Sequence, residues 1–518
     1  SIMLTRCIFP LLLLLLPCLV GHTQARDLAQ GLSEGSASIA LQNRDQRYAL
    51  WSGIGLLKNA IGQTCTAVLL DTRNRQGKAV GPAYVLTSGH CVYFSFGTAH
   101  INQAIEASIT FNYFHDTLAQ QRRFRIKTAH WTSMVGTDLA VLELDTSLAH
   151  LITDGIMPLR LATHQSTGER EVVNVGAPSG FRQKGLRMSA CKETPTNSFV
   201  EHPGVFPGAL KNRCNDLQYG SSGSPMLDRH SNEVTGIVSK VAAVIKKDIL
   251  NNCQNVSACD AAKFNYSYPA NDLHRCFVEG QFLNNTTDCQ LNAVDILLEE
   301  PWTLNPYVHM QLGELGQSVP PTWNIRFSIQ DPFYRFKAVR NVNECRVPSG
   351  YQSATASAEG YINQAIGPAL GAYVLCIIGV QTLAEALTPA LLHNAFTHSV
   401  FLTDPAPVPR IGLNYSVYWD DPQTAFTHHY FYVDTSAEAA CRDNDDVRYR
   451  LANGGASYPV SQLPVTLCSF ARNPAGQPSA VRTDVIERSA YLPPIQANPP
   501  AASRSEERRV GKECGSSV

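Results

Sequence analysis

The chain has 518 residues, more than one hydrophobic core usually supports, so several domains are expected. Apolar residues make up 44% of it, charged residues only 16%, and the formal net charge is −1. Nucleic-acid-binding domains and acidic tails need a strong charge bias, so neither class is indicated. Glycine (35) and proline (30) are plentiful, as turn-rich β architectures require.

Residues 1–25 are predicted to be a secretory signal peptide. Arg6 gives a short positive region, the apolar run from Ile8 to Val20 follows it, and small residues ending at Ala25 offer a cleavage site. The run is short for a membrane span, and an uncleaved anchor is the alternative interpretation. Residues 26–47 are a candidate propeptide or N-terminal extension.

The segment GSSGSP, residues 220–225, surrounds the hydroxyl of Ser222 with small residues. Acyl transfer needs a sharp turn that exposes the nucleophile and aims backbone N–H groups at the developing oxyanion. Small residues permit such a turn. The segment alone is equally compatible with a plain surface loop, so its interpretation depends on a base elsewhere in the chain.

His90 is the candidate base. It follows an apolar strand that begins at Ala83 and precedes Cys91, while Cys65 lies in a second apolar strand. A Cys65–Cys91 bridge would tie the backbone beside His90 to that second strand. The imidazole would then be held in place, as a general base requires. Most of the 15 histidines are expected to be surface or structural residues.

Asp138 opens a strongly apolar strand at residues 139–144. A carboxylate buried there must have a partner, and an imidazole N–H is a suitable one because it would hold His90 in the required tautomer. A capping aspartate at a strand start is the alternative. Glu143 is the weaker carboxylate candidate, since its mid-strand position predicts that it faces solvent.

Taken in order, His90, Asp138 and Ser222, within TSGHC, TDLAVLEL and GSSGSP, resemble the chymotrypsin/trypsin-type serine proteases. The resemblance covers residues 48–276 and is closer to the bacterial branch with a GxSGSP motif. It implies an all-β domain of two six-stranded antiparallel barrels with the three residues at their junction. It also implies peptide-bond hydrolysis through an acyl-enzyme intermediate, with an oxyanion hole formed by the N–H groups of Gly220 and Ser222.

Two positions depart from the digestive members of that family. Ser221 stands where they carry an aspartate that pairs with a new N-terminal amine, so activation by N-terminal insertion is not expected. Asp216 stands where trypsin-like members place the carboxylate that favours Arg or Lys beside the scissile bond. Gln218 replaces the cysteine expected between Asp216 and the serine, so a solvent-facing loop residue is an equal alternative for Asp216.

The strand at residues 236–241 is expected to bind the substrate backbone as an added-strand partner, through Ser239, Lys240 and Val241. Glutamate-specific members of the bacterial branch often place an imidazole just before the substrate-binding serine. This chain has Val238 there, so glutamyl specificity is not predicted.

The cysteines support an oxidising compartment. Of the 15, removing Cys7 and Cys18 with the signal peptide and Cys514 with the chain end leaves an even 12. The predicted couples are Cys65 with Cys91, Cys191 with Cys214, Cys253 with Cys259, Cys276 with Cys289, Cys345 with Cys376, and Cys441 with Cys468. Sequence alone does not prove this connectivity. No CxxC or paired-histidine spacing is present, so no metal site and no cofactor are predicted.

Beyond the protease-like region, residues 277–302 are expected to be a disulfide-tied connector. Residues 303–405 and 406–492 are predicted to be two β-sandwich modules, because segments near 323–332 and 413–422 repeat with a period of about one such module. They resemble immunoglobulin- or fibronectin-like repeats. Residues 493–518 are predicted to be a disordered tail, and from about 504 they resemble a translated sequencing adapter.

The predicted function is a secreted, or periplasmic, serine endopeptidase acting on protein or peptide substrates, with a candidate preference for Arg or Lys at P1. Neither a nucleic-acid partner nor stable membrane insertion is expected, and the C-terminal modules are candidates for cell-surface or matrix contact. The alternative is a catalytically inactive, protease-like scaffold that acts in extracellular adhesion or binding. Three retained catalytic groups favour the enzyme, because a scaffold has no need of them.

Overall fold

A computed structural model describes residues 26–196, 205–242 and 263–284, and from 288 to 488 all but 290, 292–294, 300–306, 313, 316, 404–408, 410, 414–416, 420–425, 459 and 473–477. The predicted signal peptide and the predicted tail from 493 lie outside these residues. Within the described residues, no helix has the length and apolar character needed to cross a membrane.

The chain enters through β1 (Ile39–Ala40), which pairs with the second barrel, and then builds the first barrel. The first barrel contains β2 (Ile54–Asn59), β3 (Thr64–Leu69), β4 (Pro82–Thr87), β5 (Ala99–Gln103), β6 (Ala107–Phe111), β7 (Arg122–Ser133) and β8 (Leu139–Ser147), followed by helix α1 (Leu148–Thr153). Six of these strands close antiparallel in the order β7-β6-β2-β3-β4-β8, and β5 extends β7 at the edge. Both faces of β4 and β8 are apolar because Val85 and Leu142 fill the barrel, whereas Leu86 and Val141 face the second barrel.

The second barrel follows the same plan. It contains β9 (Arg170–Gly176), β10 (Arg187–Pro195), β11 (Leu210–Asn212), β12 (Pro225–Asp228), β13 (Val234–Lys240) and β14 (Asn265–Pro269). These close in the order β10-β11-β14-β13-β12-β9, with β1 added to β10. The predicted all-β fold of two six-stranded antiparallel barrels is therefore confirmed.

A short C-terminal extension of the second barrel packs against the first barrel. A 3₁₀ turn (Asn271–Cys276) leads into the hairpin of β15 (Phe277–Val278) and β16 (Gln281–Phe282). The rings of Phe277 and Phe282 lie 5.4 and 6.4 Å from that of Tyr84 on β4. The Cys276–Cys289 disulfide closes this extension.

Among the described residues, three further sheets, here called module 1, follow the barrels. Module 1 contains β17 (Ile296–Leu298), β18 (Tyr307–His309), β19 (Gln311–Leu312), β20 (Ser318–Val319), β21 (Ile325–Ile329), β22 (Phe333–Val339), β23 (Thr355–Ala356), β24 (Tyr361–Ile362), β25 (Gly371–Val380), helix α2 (Pro389–His393) and β26 (Phe396–Thr403). The sheets β17-β21-β24 and β18-β26-β25-β22-β23 bury an apolar cluster that includes Phe327 and Leu375. β17 falls inside the segment predicted as a connector and pairs with β21.

The remaining strands, here called module 2, repeat part of that pattern. Module 2 contains β27 (Ile411–Leu413), β28 (Val417–Trp419), β29 (His428–Asp434), β30 (Arg450–Leu451), β31 (Val465–Arg472) and β32 (Arg482–Ile486). Its four-stranded sheet runs β30-β29-β31-β32. Central strands β25 and β31 each carry the second cysteine of a module disulfide, Cys345–Cys376 and Cys441–Cys468.

Five of the six predicted cysteine couples are formed as disulfides. They are Cys65–Cys91, Cys191–Cys214, Cys276–Cys289, Cys345–Cys376 and Cys441–Cys468. The sixth couple cannot be compared with the structure, because Cys253 and Cys259 both lie outside the described residues. The disulfide predicted for Cys259 with Cys253 is therefore not confirmed and stays a prediction.

Candidate active site

His90 lies in a 3₁₀ turn (Gly89–Cys91) that directly follows β4. The Cys65–Cys91 disulfide ties this turn to β3. The backbone N–H of His90 donates to Oδ1 of Asp138 at 2.8 Å, and its Nδ1 lies 2.6 Å from Oδ2. Gly89 permits this approach, because a Cβ there would collide with the carbonyl oxygen of Ser133 and press on Asp138. Both the backbone and the ring of His90 are therefore held by the carboxylate of Asp138.

Asp138 precedes β8 at the barrel junction and is only 1% exposed. Its Oδ2 also accepts a hydrogen bond from the hydroxyl of Ser239 at 2.5 Å. Burial by itself would raise the pKa of Asp138, but the charge of His90 and the donors from His90 and Ser239 outweigh it and hold the pKa below its ordinary value. The carboxylate is therefore ionised at neutral pH, as the partner of an imidazole N–H must be.

Glu143, the weaker carboxylate candidate, lies elsewhere. It is 9% exposed and sits on β8 against two residues of β7, with its carboxylate bonded to Nε2 of His130 and 3.4 Å from Nζ of Lys127. The expectation that Glu143 faces solvent is wrong, because the neighbouring strand supplies cationic and imidazole partners that cover it.

Ser222 occupies the tight turn between β11 and β12. The turn needs two left-handed residues, Gly220 at φ 91° and Gly223 at φ 82°, which explains the glycines of the motif. The Ser222 hydroxyl lies 3.5 Å from the carbonyl oxygen of Ser239, the residue that also binds Asp138. Among the described residues the hydroxyl makes no hydrogen bond to His90. Such bonds are often long in unliganded enzymes and tighten when substrate binds.

The amides of the turn are arranged around Ser222. Among the described residues, the N–H groups of Gly220 and Ser222 donate to no hydrogen-bond acceptor, whereas that of Gly223 donates to the carbonyl of Val238 at 2.8 Å. Ser221 is 1% exposed, and its hydroxyl accepts the N–H of Gln218 at 3.1 Å. The turn is thus held by hydrogen bonds between its own residues.

Thr66 is a site residue that the sequence reasoning missed. It follows Cys65 on β3 and is fully buried. Its hydroxyl donates to the carbonyl of Gly220 at 2.8 Å and accepts the N–H of Ala177 at 2.9 Å, and its N–H donates to the carbonyl of Ser222 at 2.8 Å. The first barrel therefore holds the serine turn through one threonine. A hydroxyl inside an otherwise apolar strand was the only signal in the sequence.

Asp216 lies outside the group formed by His90, Asp138 and Ser222. It is exposed, has φ 64°, and its Oδ2 accepts the N–H and the hydroxyl of Ser38 at 2.8 and 2.7 Å. The guanidinium of Arg187 donates to the hydroxyl oxygen and to the backbone carbonyl of the same Ser38. The N-terminal segment therefore engages one oxygen of the carboxylate that was considered for substrate specificity.

The predicted substrate-binding residues Ser239, Lys240 and Val241 lie at the end of β13. The pairing of β13 with β14 is irregular here, because its register shifts between Val238 and Lys240. Val241 follows the strand and is buried. The sulfurs of Cys65 and Cys91 lie within 4.8 Å of a His90 ring nitrogen, but they are bonded to each other, so this group is a disulfide beside an imidazole.

Two antiparallel barrels with a histidine–aspartate pair and a serine turn at their junction define the chymotrypsin-like fold. Residues 65–237 match the family model described as "Trypsin-like peptidase domain". The matched residues run from β3 to β13, so this part of the chain has the fold and the sequence pattern of a trypsin-like peptidase domain. No curated protein matches the chain.

Several solved structures resemble the barrels. A thermostable serine protease, AL20, from an extremophilic microorganism is 16% identical, with a TM-score of 0.30 over 43% of this chain and 92% of that one. A Glu endopeptidase in complex with MPD is 15% identical, with a TM-score of 0.30 over 45% and 91%. The protease Anisep from Arthrobacter nicotinovorans is 17% identical, with a TM-score of 0.30 over 43% and 91%. Likenesses this weak carry no argument about activity.

Proposed function

We propose that the chain is a secreted serine endopeptidase in which His90, Asp138 and Ser222 form the catalytic triad. Ser222 attacks the scissile carbonyl, and His90 takes its proton and later gives it to the leaving amine. Asp138 holds the imidazole in one tautomer and stabilises the imidazolium that forms. The N–H groups of Gly220 and Ser222 stabilise the tetrahedral oxyanion.

The observation that carries the proposal is the double engagement of Asp138 by His90, through its backbone N–H and its ring, at 2.8 and 2.6 Å. Two amides without internal acceptors beside Ser222 support an oxyanion hole. The local bonds of Ser221 support an enzyme that is competent without an inserted N-terminal amine. An inactive adhesion scaffold remains the competing function and has no use for these groups.

Labelling with a fluorophosphonate probe tests the catalytic proposal. The wild-type chain should be labelled and should hydrolyse unfolded protein substrates, whereas Ser222→Ala should lose labelling and several orders of magnitude of activity. Ser231→Ala, an exposed serine of the same barrel, is the matched control and should behave as wild type. A folded wild-type preparation without Ser222-dependent labelling would refute the proposed catalytic function.

A preference for Arg or Lys next to the scissile bond is the finer part of the proposal, and it depends on Asp216. Oδ2 of Asp216 is engaged by Ser38, but its Oδ1 accepts no hydrogen bond from the described residues and stays available to a cation. A charge-assisted bond from a substrate guanidinium or ammonium to that oxygen would favour basic residues.

Cleavage of a peptide library measures this preference directly. We expect cleavage after Arg and Lys in the wild-type chain, and a loss of that preference in Asp216→Asn, which keeps the shape and the acceptor for Ser38. Asp228→Asn, a carboxylate of β12, is the control that should leave the preference unchanged. Preferential cleavage after Leu or Glu by the wild-type chain would exclude a specificity role for Asp216.

Secretion is proposed on the cysteines and the N-terminal sequence. Five disulfides are formed, and such bridges persist in oxidising compartments. The proposed partners are protein or peptide substrates, with surface or matrix contact assigned to the C-terminal modules. Recovery of the mature chain from the medium or periplasm, rather than from the cytosol, tests the location.

A further inference from the structure

Module 1 contacts three loops of the double barrel, two of which adjoin His90 and Asp138 along the chain. In the loop after His90, the carbonyl of Gly97 accepts the N–H of Ile296 at 3.0 Å, and the ring of Phe96 lies 5.2 Å from that of Phe396. In the same segment, Ala99 donates its N–H to Oδ1 of Asp295 at 3.0 Å. The loop that carries the candidate base is therefore bonded on its outer side to module 1.

The loop before Asp138 and a loop of the second barrel make equivalent contacts. The carbonyl of Gly136, two residues before Asp138, accepts a bond from Nη2 of Arg346 at 3.4 Å. Gly208 donates its N–H to Oδ1 of Asn343 at 2.9 Å, and Thr397 donates its hydroxyl to the carbonyl of Val205. Arg346 and Asn343 belong to one 3₁₀ turn (Val342–Arg346), so a single element of module 1 holds both loops.

These loops present a glycine to module 1 at each contact. Gly97, Gly136 and Gly208 all have positive φ, at 81°, 67° and 76°. A Cβ on each would run into module 1, at Phe396 and Ile296, at the carbonyl of His393, and at Arg346 respectively. Other left-handed glycines of the double barrel, such as Gly77 and Gly155, face open space, with no atom within 4 Å of a Cβ placed on them. A left-handed backbone can therefore occur without close packing, so the tight contacts of Gly97, Gly136 and Gly208 with module 1 are a separate feature.

Arg346 makes few polar contacts in this interface, and the charge of Asp272 acts on it without a direct ion pair. Among the described residues no carboxylate lies within ion-pair distance of it, and its Nε is buried without a hydrogen-bond partner. Burial lowers the pKa of Arg346 to about 10. Arg346 is half-buried, and its guanidinium donates to the backbone carbonyl of Gly136, two residues before Asp138, so it is placed to hold that loop.

We infer that module 1 is a fixed part of the catalytic unit, which holds the His90 and Asp138 loops in their working positions, with Arg346 as a positioning residue. The inference rests on the proposed protease function and names a structural requirement of it. Displacing module 1 shifts the loop before Asp138 and so misaligns the histidine–aspartate pair. A misplacement of about 1 Å lowers the rate on the order of 10²-fold.

The pair Gly136→Ala and Gly155→Ala in the full chain tests this. Both substitutions impose an alanine on a left-handed backbone, but only the one at Gly136 collides with module 1. We expect Gly136→Ala to lower kcat on the order of 10²-fold with little change in KM, and to slow fluorophosphonate labelling equally, while Gly155→Ala keeps wild-type kcat. Activities are expressed per active site, counted by complete labelling. Equal kcat and labelling rates in the two variants would overturn the inference.

A second pair keeps the test decisive if Gly136→Ala does not fold. Arg346→Gln should lower kcat without raising KM, and Arg346→Lys should restore part of it, because an ammonium can still donate to the Gly136 carbonyl. Arg340→Gln is the control, since Arg340 also donates to backbone carbonyls, those of Leu370 and Ala372, but within module 1. Wild-type kcat in Arg346→Gln would refute the positioning role. If the wild-type chain itself lacks Ser222-dependent labelling, the proposed function fails instead.

Discussion

At the scale of single residues, Thr66 connects the two barrels at the point where chemistry is proposed. Its hydroxyl satisfies two buried backbone groups of the second barrel, the carbonyl of Gly220 and the N–H of Ala177. Thr66→Val keeps the shape of the side chain and removes both bonds. Each buried group left unpaired costs about 1–3 kcal/mol, so the free energy of unfolding should fall by an amount of that order.

The same change should also affect catalysis. Gly220 supplies one of the two proposed oxyanion donors, and its turn loses an anchor, so kcat should fall by up to about 10²-fold. Thr64→Val, on the same strand but partly exposed, is the control for the loss of a hydroxyl from β3. Denaturant unfolding and steady-state kinetics measure the two effects. A Thr66→Val variant as stable and as active as Thr64→Val would show that this contact is dispensable.

The candidate site was partly readable from residue types alone. His90, Asp138 and Ser222 stand in segments whose neighbours indicate their proposed roles: small residues for a turn, a cysteine for an anchor, and an apolar strand for burial. Asp216 carries no such context, and its partner Ser38 lies 178 positions away along the chain. A side-chain contact over that separation leaves no local pattern, so its engagement by the N-terminal segment was not predictable.

At the scale of elements, the apolar strands predicted beside Cys65, His90 and Asp138 appear as β3, β4 and β8, and the cysteine spacing predicts five disulfides that form among the described residues. Glu143 shows where pattern reasoning fails. A mid-strand polar residue indicates a solvent face only when no partner covers it, and here His130 on the adjacent strand does so.

The N-terminal segment shows a second limit of pattern reasoning. Residues 26–47 contain few consecutive apolar residues, and the sequence predicts a propeptide or an N-terminal extension without showing how it packs. In the folded chain Leu41 is fully buried in the core between the barrels, and Asp27 forms a bidentate pair with Arg229. Short segments that pack residue by residue against a distant barrel lack the periodicity by which elements are recognised.

At the scale of the whole molecule, the two modules differ in how they join the barrels. The apolar clusters of module 1 include residues of the double barrel, Phe96 in one and Val205 in another. Among the described residues, the main apolar cluster of module 2 contains residues of module 2 alone, including Leu467 and Val465. Shared cores unfold together, whereas separate cores unfold independently. Module 1 should therefore be thermodynamically coupled to the catalytic barrels, and module 2 should not.

A matched pair of core truncations tests this coupling. Leu375 in module 1 and Leu467 in module 2 are both fully buried, and replacing either with alanine should cost about 2–5 kcal/mol in its own unfolding unit. Leu375→Ala should lower the calorimetric transition and, by the same interval, the temperature at which peptidase activity is lost. Leu467→Ala should lower a separate transition and leave heat inactivation where it is in the wild-type chain.

The inactivation temperature is the deciding quantity, because it reports on the barrels through the active site and needs no assignment of calorimetric peaks. If Leu375→Ala lowered a transition without lowering the inactivation temperature, module 1 would be an independent unit, and the fixed contact inferred for Gly97, Gly136 and Gly208 would be broken at no cost to catalysis. If Leu467→Ala lowered the inactivation temperature as well, module 2 would share the unit. We expect module 1 alone to be coupled to the barrels, because its apolar clusters include barrel residues and the main cluster of module 2 does not.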